Sequence, residues 1–235
     1  MARRHPPVAA AEESSQDGGK GHLKRRAYED LKRLLVSGPV VPGSLLSERQ
    51  LAKQLGMSNT PVRAALERLE AEGFIAISPQ QGILVRQLTI QEIIDHYEVR
   101  EALETYVIRR VSGHLDEAQV GRVRANLDAQ RRSLEAEDFE RNVELDAEFH
   151  TLFCEFFGND QIIRVMLQLR DKIHRAIVSI ARQDRNRMRD SCREHLGIAE
   201  AAIAGGADRA AGLLADHLEA GRSCILSPRG RPRRA

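Results

Sequence analysis

The stretch SERQLAKQLGMSNTPVRAALERLEAE, at residues 47–72, constrains the fold more than any other part of the chain. Ser47 stands three residues before Gln50, which is the spacing of a capping box at the start of a helix. Gly56 stands where a chain can leave that helix in a left-handed conformation. Thr60, followed by a proline, then predicts the start of a second helix. Two short helices joined by a glycine-containing turn form a helix-turn-helix.

The second of these helices has two unlike faces. Apolar residues at i, i+3, i+4 and i+7 predict its buried side, and they are Val62, Ala65, Leu66 and Leu69. Asn59, Thr60, Arg63 and Glu67 are left on the outer side. A helix with polar groups at its start suits the major groove of DNA. Arg63 can also form a surface ion pair with Glu67, and this role does not exclude the other.

Flanking segments complete the first domain. Residues 24–36 predict a preceding helix, and residues 74–77 and 83–85 predict two strands around a turn, which is a hairpin wing. Residues 1–21 are rich in Pro, Ala, Ser, Gly and charge without periodicity and predict a disordered arm. Residues 20–88 hold 11 Lys and Arg against 6 Asp and Glu, whereas residues 89–226 hold 19 against 25. This division is a weak indication that only the first part meets a polyanion.

The remainder of the chain predicts helices without strands. Six are expected, near residues 89–113, 116–136, 138–157, 159–182, 187–204 and 207–226. The expected fold is therefore mainly α, with a winged helix-turn-helix over residues 22–88 and a six-helix antiparallel bundle over residues 89–226. A basic, disordered tail is expected at residues 227–235.

Composition narrows the class of protein. The chain has no run of 18 or more apolar residues and no segment like a signal peptide, so a cytoplasmic protein without a membrane partner is expected. Its three cysteines, Cys154, Cys192 and Cys224, are far apart and predict reduced core residues rather than a disulfide framework.

Four side chains in the predicted bundle have the chemistry of metal ligands. Asp146 and His150 lie at i and i+4 on one helix, and His195 and His217 follow on two later helices among apolar neighbours. Imidazoles and one carboxylate suit a divalent ion: zinc, with nickel, manganese or iron as alternatives. By spacing alone, hydrogen-bonded core histidines are the more common outcome.

Three linked motifs resemble the GntR family of bacterial transcription regulators: LLSERQLA at residues 45–52, SNTPVRAAL at 58–66 and LEAEGF at 69–74. The resemblance implies that Arg49, Thr60 and Arg63 contact double-stranded DNA and that Gly82 lets the wing approach it. Ser58 can donate to a phosphate. Asn59 and Gln81 depart from the family pattern, which more often has basic residues there, but both side chains can read adenine.

The bundle is similar to the FCD domain that follows the winged helix in one GntR subfamily, and its six helices resemble the VanR-type branch. The similarity lies in Asp146-x-x-x-His150, in the segment from Glu194-His195 to Ala211, and in His217-Leu218. It implies that the Asp and three His hold a divalent metal and that a small carboxylic acid binds beside it.

Two further residues are predicted to contact that acid. Arg100 can pair with its carboxylate, with a salt bridge to Glu101 or Glu104 as an equal alternative. Asn142, one turn before Asp146, is predicted to share the ligand face.

The expected function is thus a homodimeric, metal-containing regulator, a repressor that binds a palindromic operator under the control of a carboxylate. It is not expected to be an enzyme. An architectural DNA-binding dimer without metal or effector, and a metal-dependent enzyme fused to a DNA-binding module, are the alternatives.

Overall fold

The chain forms two compact units in a computed structural model, which describes residues 14–36, 40–78, 81–181 and 185–226. The units divide between Gln87 and Leu88. Each has its own hydrophobic core, so each is described by itself. None of the helices in the described ranges is long and apolar enough to cross a membrane.

In the first unit, the residues that the structure describes form three helices and a small sheet. Their bounds are α1 Ser14–Val36, β1 Leu45–Leu46, α2 Glu48–Leu55, α3 Asn59–Ala71, β2 Ile75–Ser78 and β3 Gly82–Val85. The structure extends α1 to Ser14, whereas the sequence predicted a start near Lys24 and an arm through residue 21. Glycines in residues 14–21 lower helix propensity without excluding a helix. The rest of the predicted arm, residues 1–13, lies outside the described ranges.

The helix-turn-helix is present, with two differences at its caps. Ser47 is the N-cap of α2, but its side chain makes no capping hydrogen bond, so the predicted capping box is wrong. Gly56 is left-handed as predicted, with φ 63°. The N-cap of α3 is Ser58 rather than Thr60, which places Pro61 at the third helical position. Proline is tolerated there because the first four N–H groups of a helix have no intrahelical partner.

The wing is a three-stranded antiparallel sheet in the order β1-β3-β2. The sequence predicted β2 and β3 but missed the two-residue strand β1, in which Leu45 pairs with Leu84 and Leu46 with Ile83. Gly82 has φ +102°, and a Cβ there would lie 2.9 Å from the carbonyl oxygen of Leu46. The tight contact that requires glycine is therefore with β1. Pro79 and Gln80 lie outside the described ranges.

Apolar faces of α1, α2 and α3 and the inner side of the sheet bury the first core. Its largest fully buried side chains are Leu31, Leu66, Leu69 and Ile75. The four α3 residues predicted to face inward, Val62, Ala65, Leu66 and Leu69, are all buried. The core thus fixes the orientation of α3 and leaves its polar side exposed.

The described residues of the second unit form six helices, which confirms the predicted helical fold. They are α4 Ile90–Val111, α5 Glu117–Glu135, α6 Phe139–Phe157, α7 Asp160–Ala181, α8 Arg185–Ile203 and α9 Ala207–Leu226. Thr89 with Glu92, and Asp116 with Gln119, form reciprocal capping boxes at the starts of α4 and α5. Helix α9 packs against both α4 and α8, and α6 packs against α4, α5 and α7. This packing brings together α6, α8 and α9, the helices that carry the predicted metal ligands, with α4 and α5. The predicted basic tail at residues 227–235 lies outside the described ranges.

Loops of this unit contain residues with positive φ. Gly113 and Gly205, both left-handed, face each other, and a Cβ on Gly113 would lie 3.1 Å from the Cα of Gly205. The amide of Gly113 also donates to the carbonyl of Ala202 at 2.9 Å, which ties the end of α4 to the end of α8. Glu137, between α5 and α6, is a non-glycine residue with φ 55°.

Candidate functional site

The bundle brings the four predicted metal ligands together. Asp146 and His150 project from α6, His195 from α8 and His217 from α9, and one ligand atom of each lies within 4.8 Å of the others. The Nε2 atom of His217 is 3.2 Å from the Nε2 atoms of both His150 and His195. All three histidines are buried, whereas the Asp146 side chain keeps 20% of its exposure.

Each histidine is held from behind by an oxygen atom. His150 Nδ1 lies 2.6 Å from Glu104 Oε2, His195 Nδ1 lies 2.9 Å from Gln130 Oε1, and His217 Nδ1 lies 2.6 Å from Glu194 Oε2. These acceptors place the proton on Nδ1 in each ring. They therefore direct all three Nε2 lone pairs toward one point.

Further contacts fix these orienting groups. Gln130 Nε2 donates to Asn126 Oδ1 at 2.7 Å, which turns its amide oxygen toward His195. The ring of His195 also stacks on Phe149, with centroids 4.1 Å apart. Ser191 donates to Asp146 Oδ1 at 2.9 Å.

This arrangement fits a divalent metal ion. Three lone pairs that face one another at such separations repel unless a cation lies between them. With metal–nitrogen bonds of about 2.0–2.1 Å, two ligand atoms of a tetrahedral zinc site are about 3.3 Å apart, close to the observed spacing. A histidine that donates its other N–H to a carboxylate or amide oxygen is the usual surrounding of such a site. Histidines that only stabilised the core would form N–H···N hydrogen bonds with one another, but with the proton of each ring on Nδ1 the facing Nε2 atoms have no N–H to donate.

The electrostatics of the cluster favour neutral imidazoles, which metal binding requires. Burial lowers the pKa of His195 well below its usual value, and the neighbouring His217 and His150 lower it further. Burial also lowers the pKa of His217, although its hydrogen bond to Glu194 opposes that shift.

Glu104 remains ionised in the same region. Burial alone would raise the pKa of Glu104, but Arg100 and then His150 outweigh it and bring the value down to about 2.

A cavity that is partly open to solvent reaches this cluster, and its empty space of about 570 Å³ includes some of that open solvent. Its polar lining includes Arg100, Asp146, His150 and His217. A second, smaller cavity on the side of α7 shares Arg100, Asp146 and His150 with the first and is also lined by Arg170 and His174. A small molecule in the first cavity would therefore lie against three of the four candidate metal ligands.

Arg100, a predicted effector contact, lies in this cavity. Its Nε donates to Glu104 Oε1 at 2.8 Å, so the salt-bridge partner is Glu104 rather than Glu101. No hydrogen bond within the described residues reaches its Nη1 or Nη2, although the side chain is only 7% exposed. A buried guanidinium with free N–H groups beside a cavity is suited to a carboxylate. The pairing with Glu104 and the predicted role are therefore compatible.

Asn142 also lines the cavity, but its amide is largely occupied. Its Nδ2 donates to Gln130 O at 3.1 Å and to Ser133 Oγ at 2.9 Å, both on α5. Its predicted contact with an effector remains a prediction that would involve the amide oxygen.

The residues predicted to contact DNA lie on the surface of the first unit. Arg49, Ser58, Asn59, Thr60, Arg63 and Gln81 are exposed, and Gly82 is half-buried. Arg63 is paired with Glu48, at 3.0 Å, and not with the predicted Glu67. Glu48 begins α2, so this ion pair joins the two helices of the helix-turn-helix at their outer surface.

Sequence reasoning missed the groups that orient the histidines. Glu104 was considered only as a partner of Arg100, Glu194 only as part of a motif, and Gln130 not at all. The spacing Arg100-x-x-x-Glu104 was the available signal for the first of them. Gln130 lies on α5, and nothing in its local sequence indicates a contact with a residue 65 positions away. The cysteine prediction also needs correction, because Cys154 is buried but Cys192 and Cys224 are half-buried.

The fold and the two candidate sites define a two-domain protein in which a winged helix-turn-helix precedes a helical bundle with a buried His and Asp cluster. Family models match both parts. The bacterial regulatory proteins of the gntR family match residues 23–85, and the FCD domain matches residues 95–220, more than half of the chain. The chain therefore belongs to the GntR family of bacterial regulators and carries an FCD domain.

Named relatives agree with this assignment. The chain is 31% identical to the HTH-type transcriptional repressor RspR of Escherichia coli K12 over 133 residues, or 57% of this chain and 58% of that protein. It is 35% identical to the gluconate operon transcriptional repressor of Bacillus subtilis over 126 residues, or 54% and 51%. It is 28% identical to the regulator YdhC of Bacillus subtilis over 149 residues, or 63% and 66%. The matched region thus spans about half to two thirds of each relative.

Two solved structures share the fold. Escherichia coli McbR/YncC superposes with a TM-score of 0.76 at 21% identity and covers 86% of this chain and 96% of that one. A GntR regulator from Rhodococcus sp. RHA1 gives a TM-score of 0.76 at 22% identity, covering 86% and 97%. The matched family and the named relatives are transcriptional regulators, which agrees with the expectation that the protein is not an enzyme.

Proposed function

We propose that this protein is a transcriptional repressor. Two copies bind a palindromic operator through their winged helices, and a small carboxylate held beside a divalent metal in the bundle controls that binding. Two of the relatives are named as transcriptional repressors, which supports the first part. The effector acts by its differential affinity for the two states of the protein, one that binds DNA and one that does not.

The observation that carries the sensing role is the position of Arg100. Its guanidinium is buried, has free Nη groups and lines the same cavity as three of the four candidate metal ligands. A cation and a guanidinium at one end of a cavity form a site for a carboxylate. Asp146, His150, His195 and His217 would hold the ion, and we propose zinc, with nickel, manganese or iron as alternatives. When bound, the ion supplies a Lewis acid that attracts a carboxylate oxygen.

The exposed side of α3 supports DNA binding. The Arg63 side chain is 65% exposed, and its ion pair with Glu48 is at the surface, where such pairs contribute little stability. A DNA phosphate or guanine can therefore replace Glu48 at small cost. Arg49 is exposed at the start of α2. We propose that these two arginines, with Ser58, Asn59, Thr60, Gln81 and Gly82, form the DNA interface.

A self-association surface is available on the second unit. Val99 and Tyr106, seven residues apart on α4, are 41% and 50% exposed, and Val165 on α7 is 37% exposed. Helices α4 and α7 pack together, so these apolar side chains extend over neighbouring helices. We propose that this surface forms the homodimer that a palindromic operator requires.

The test uses the full chain and a duplex selected from a random pool by repeated binding. Wild type should retain the duplex at moderate salt, Arg49→Ala with Arg63→Ala should lose it, and Arg33→Ala, which removes an exposed charge from α1, should not. Retention by the double variant would overturn the DNA interface.

The sensing role has a separate test. Wild-type protein should contain stoichiometric metal, His195→Ala with His217→Ala should lose it, and a carboxylate from a screened panel should change duplex retention only in the metal-loaded protein. If retention does not respond to metal or to any acid, the protein is an architectural DNA-binding dimer and the sensing role is wrong.

A further inference from the structure

The cavity beside the candidate metal centre has a lining of two kinds. Its polar end is formed by Arg100 and the candidate ligands. Its remaining lining includes apolar side chains from four helices: Val143 of α6, Ile177 of α7, Met188 of α8, and Leu218 and Ile225 of α9. Val143 and Met188 are buried in a small apolar cluster against which Ile177 packs. A ligand anchored at the polar end therefore extends along hydrocarbon.

With a divalent ion bound, the charges at the polar end of the cavity sum to one positive unit that has no counterion. Arg100 is neutralised by Glu104, and Arg187, which also lines the cavity, is neutralised by Glu194 at 2.9 Å. A divalent ion with Asp146 and neutral histidines then leaves a net charge of one positive unit. A single carboxylate balances it. A second carboxylate that lay against the apolar part of the lining would have no partner there, which is unfavourable.

Several polar groups of the described lining already form hydrogen bonds or ion pairs with other protein groups. The Ser191 hydroxyl donates to Asp146, the Asn142 amide donates to α5, and the Arg187 guanidinium holds Glu194. Two polar groups of the described lining remain available to a ligand: the Tyr97 hydroxyl, which makes no hydrogen bond within the described residues, and the amide oxygen of Asn142. A ligand with more hydroxyl groups than these two partners can satisfy would therefore bury some of them without hydrogen bonds, which is unfavourable.

We propose that the effector is a monocarboxylate with an uncharged, mainly apolar body. Its carboxylate lies at the Arg100 end, and its body lies against Val143, Met188 and Leu218. Dicarboxylates, tricarboxylates and sugar acids are disfavoured by the same walls. This proposal rests on the proposed function, because it requires a metal-assisted carboxylate site in the bundle.

A ligand series of one chain length tests it. Isothermal titration of the zinc-loaded full chain at neutral pH would use four six-carbon probes: hexanoate, adipate, gluconate and hexan-1-ol. A second apolar acid, 3-phenylpropanoate, tests a wider body. At least one of the two apolar acids should bind at least about tenfold more tightly than adipate or gluconate, which is the effect of about 1.4 kcal/mol. Hexan-1-ol, which lacks the anchor, should bind at least as weakly as those two.

The outcomes separate this proposal from the proposed function. If adipate or gluconate binds as tightly as the apolar acids and loses binding with chelator, the metal-assisted carboxylate site stands and the apolar ligand class is wrong. If hexan-1-ol binds as tightly as hexanoate, the carboxylate anchor itself is wrong. If none of the five probes binds the zinc-loaded protein, both proposals are contradicted.

A wall variant gives an independent measurement. Met188→Gln keeps the side-chain length but places an amide against the ligand body, and it should weaken the tighter apolar acid about tenfold without loss of bound zinc. The matched control is Arg189→Gln, an exposed neighbour on the same helix, which should bind as wild type. Equal binding by Met188→Gln and wild type, with melting temperatures also equal, would overturn the placement of the ligand body.

Discussion

Glu104 links the charge balance of the bundle to the candidate metal centre. One carboxylate oxygen accepts from Arg100 Nε at 2.8 Å and the other lies 2.6 Å from His150 Nδ1. Glu104→Gln keeps the shape but offers one oxygen and one NH₂ group. The NH₂ group must then face either the Arg100 N–H or the His150 N–H, so a donor meets a donor. The variant also leaves the Arg100 charge buried without a counterion.

The size of the effect follows from these contacts. The pKa of Glu104 falls from 4.5 to about 2, which corresponds to about 3 kcal/mol of stabilisation of the ionised form. Removing one partner of a buried pair costs about 3–5 kcal/mol in other proteins, so a loss of about 3 kcal/mol in the free energy of unfolding is expected. Zinc affinity should fall about 10–100-fold, because His150 loses the acceptor that orients it.

The two effects require two assays. Urea unfolding of metal-free protein, followed by circular dichroism, measures the free energy of unfolding, and competition with a chromophoric chelator measures zinc affinity. Glu101→Gln, an exposed residue on the same helix, is the control and should match wild type in both. Arg100→Met combined with Glu104→Gln should recover part of the stability, since no unpaired charge remains, but not the zinc affinity. The account is refuted if Glu104→Gln behaves as Glu101→Gln does.

Three further predictions concern other parts of the second unit. Gly113→Ala should lower the free energy of unfolding by about 2–3 kcal/mol in urea titrations, because the φ of Gly113 is +76° and the new Cβ would lie 3.1 Å from the Cα of Gly205. Gly212→Ala, in open space on α9, is the control. Equal stability of the two variants would contradict the close approach of Gly113 to Gly205. Burial lowers the folded pKa values of His195 and His217 below 6.5, so their contribution to stability is full above that pH and is lost as the pH falls below it. Melting temperatures measured in chelator between pH 8 and 5 should therefore fall toward pH 5. An unchanged pH slope after both residues are replaced by glutamine would show that other groups are responsible. Tyr106→Glu should convert the proposed dimer to a monomer in light scattering, because it places a charge in an apolar interface, and a persistent dimer would locate the interface elsewhere.

Local sequence patterns were sufficient for most of the first unit. Helical spacing placed the buried side of α3, and Gly56 marked the end of α2, because both depend on residues within a few positions of each other. The cap of α3 and the strand β1 were not predicted correctly. Leu45 and Leu46 form a strand only because Leu84 and Ile83 lie beside them, and that pairing joins residues far apart in the chain.

For the bundle, the sequence by itself determined the helices and, through the family resemblance, the four candidate metal ligands. Asp146 and His150 share a helix face by spacing, but no local pattern sets their distance from His195 or His217. Only the packing of α6, α8 and α9 placed the Nε2 atom of His217 about one ligand spacing from the Nε2 atoms of His150 and His195. The tertiary structure alone also supplied Glu104, Gln130 and Glu194 as the groups that orient the histidines, and paired Arg63 with Glu48. The physical reason is that helix formation depends on neighbours along the chain, whereas ligand geometry, charge pairing and the walls of a cavity depend on side chains from different helices.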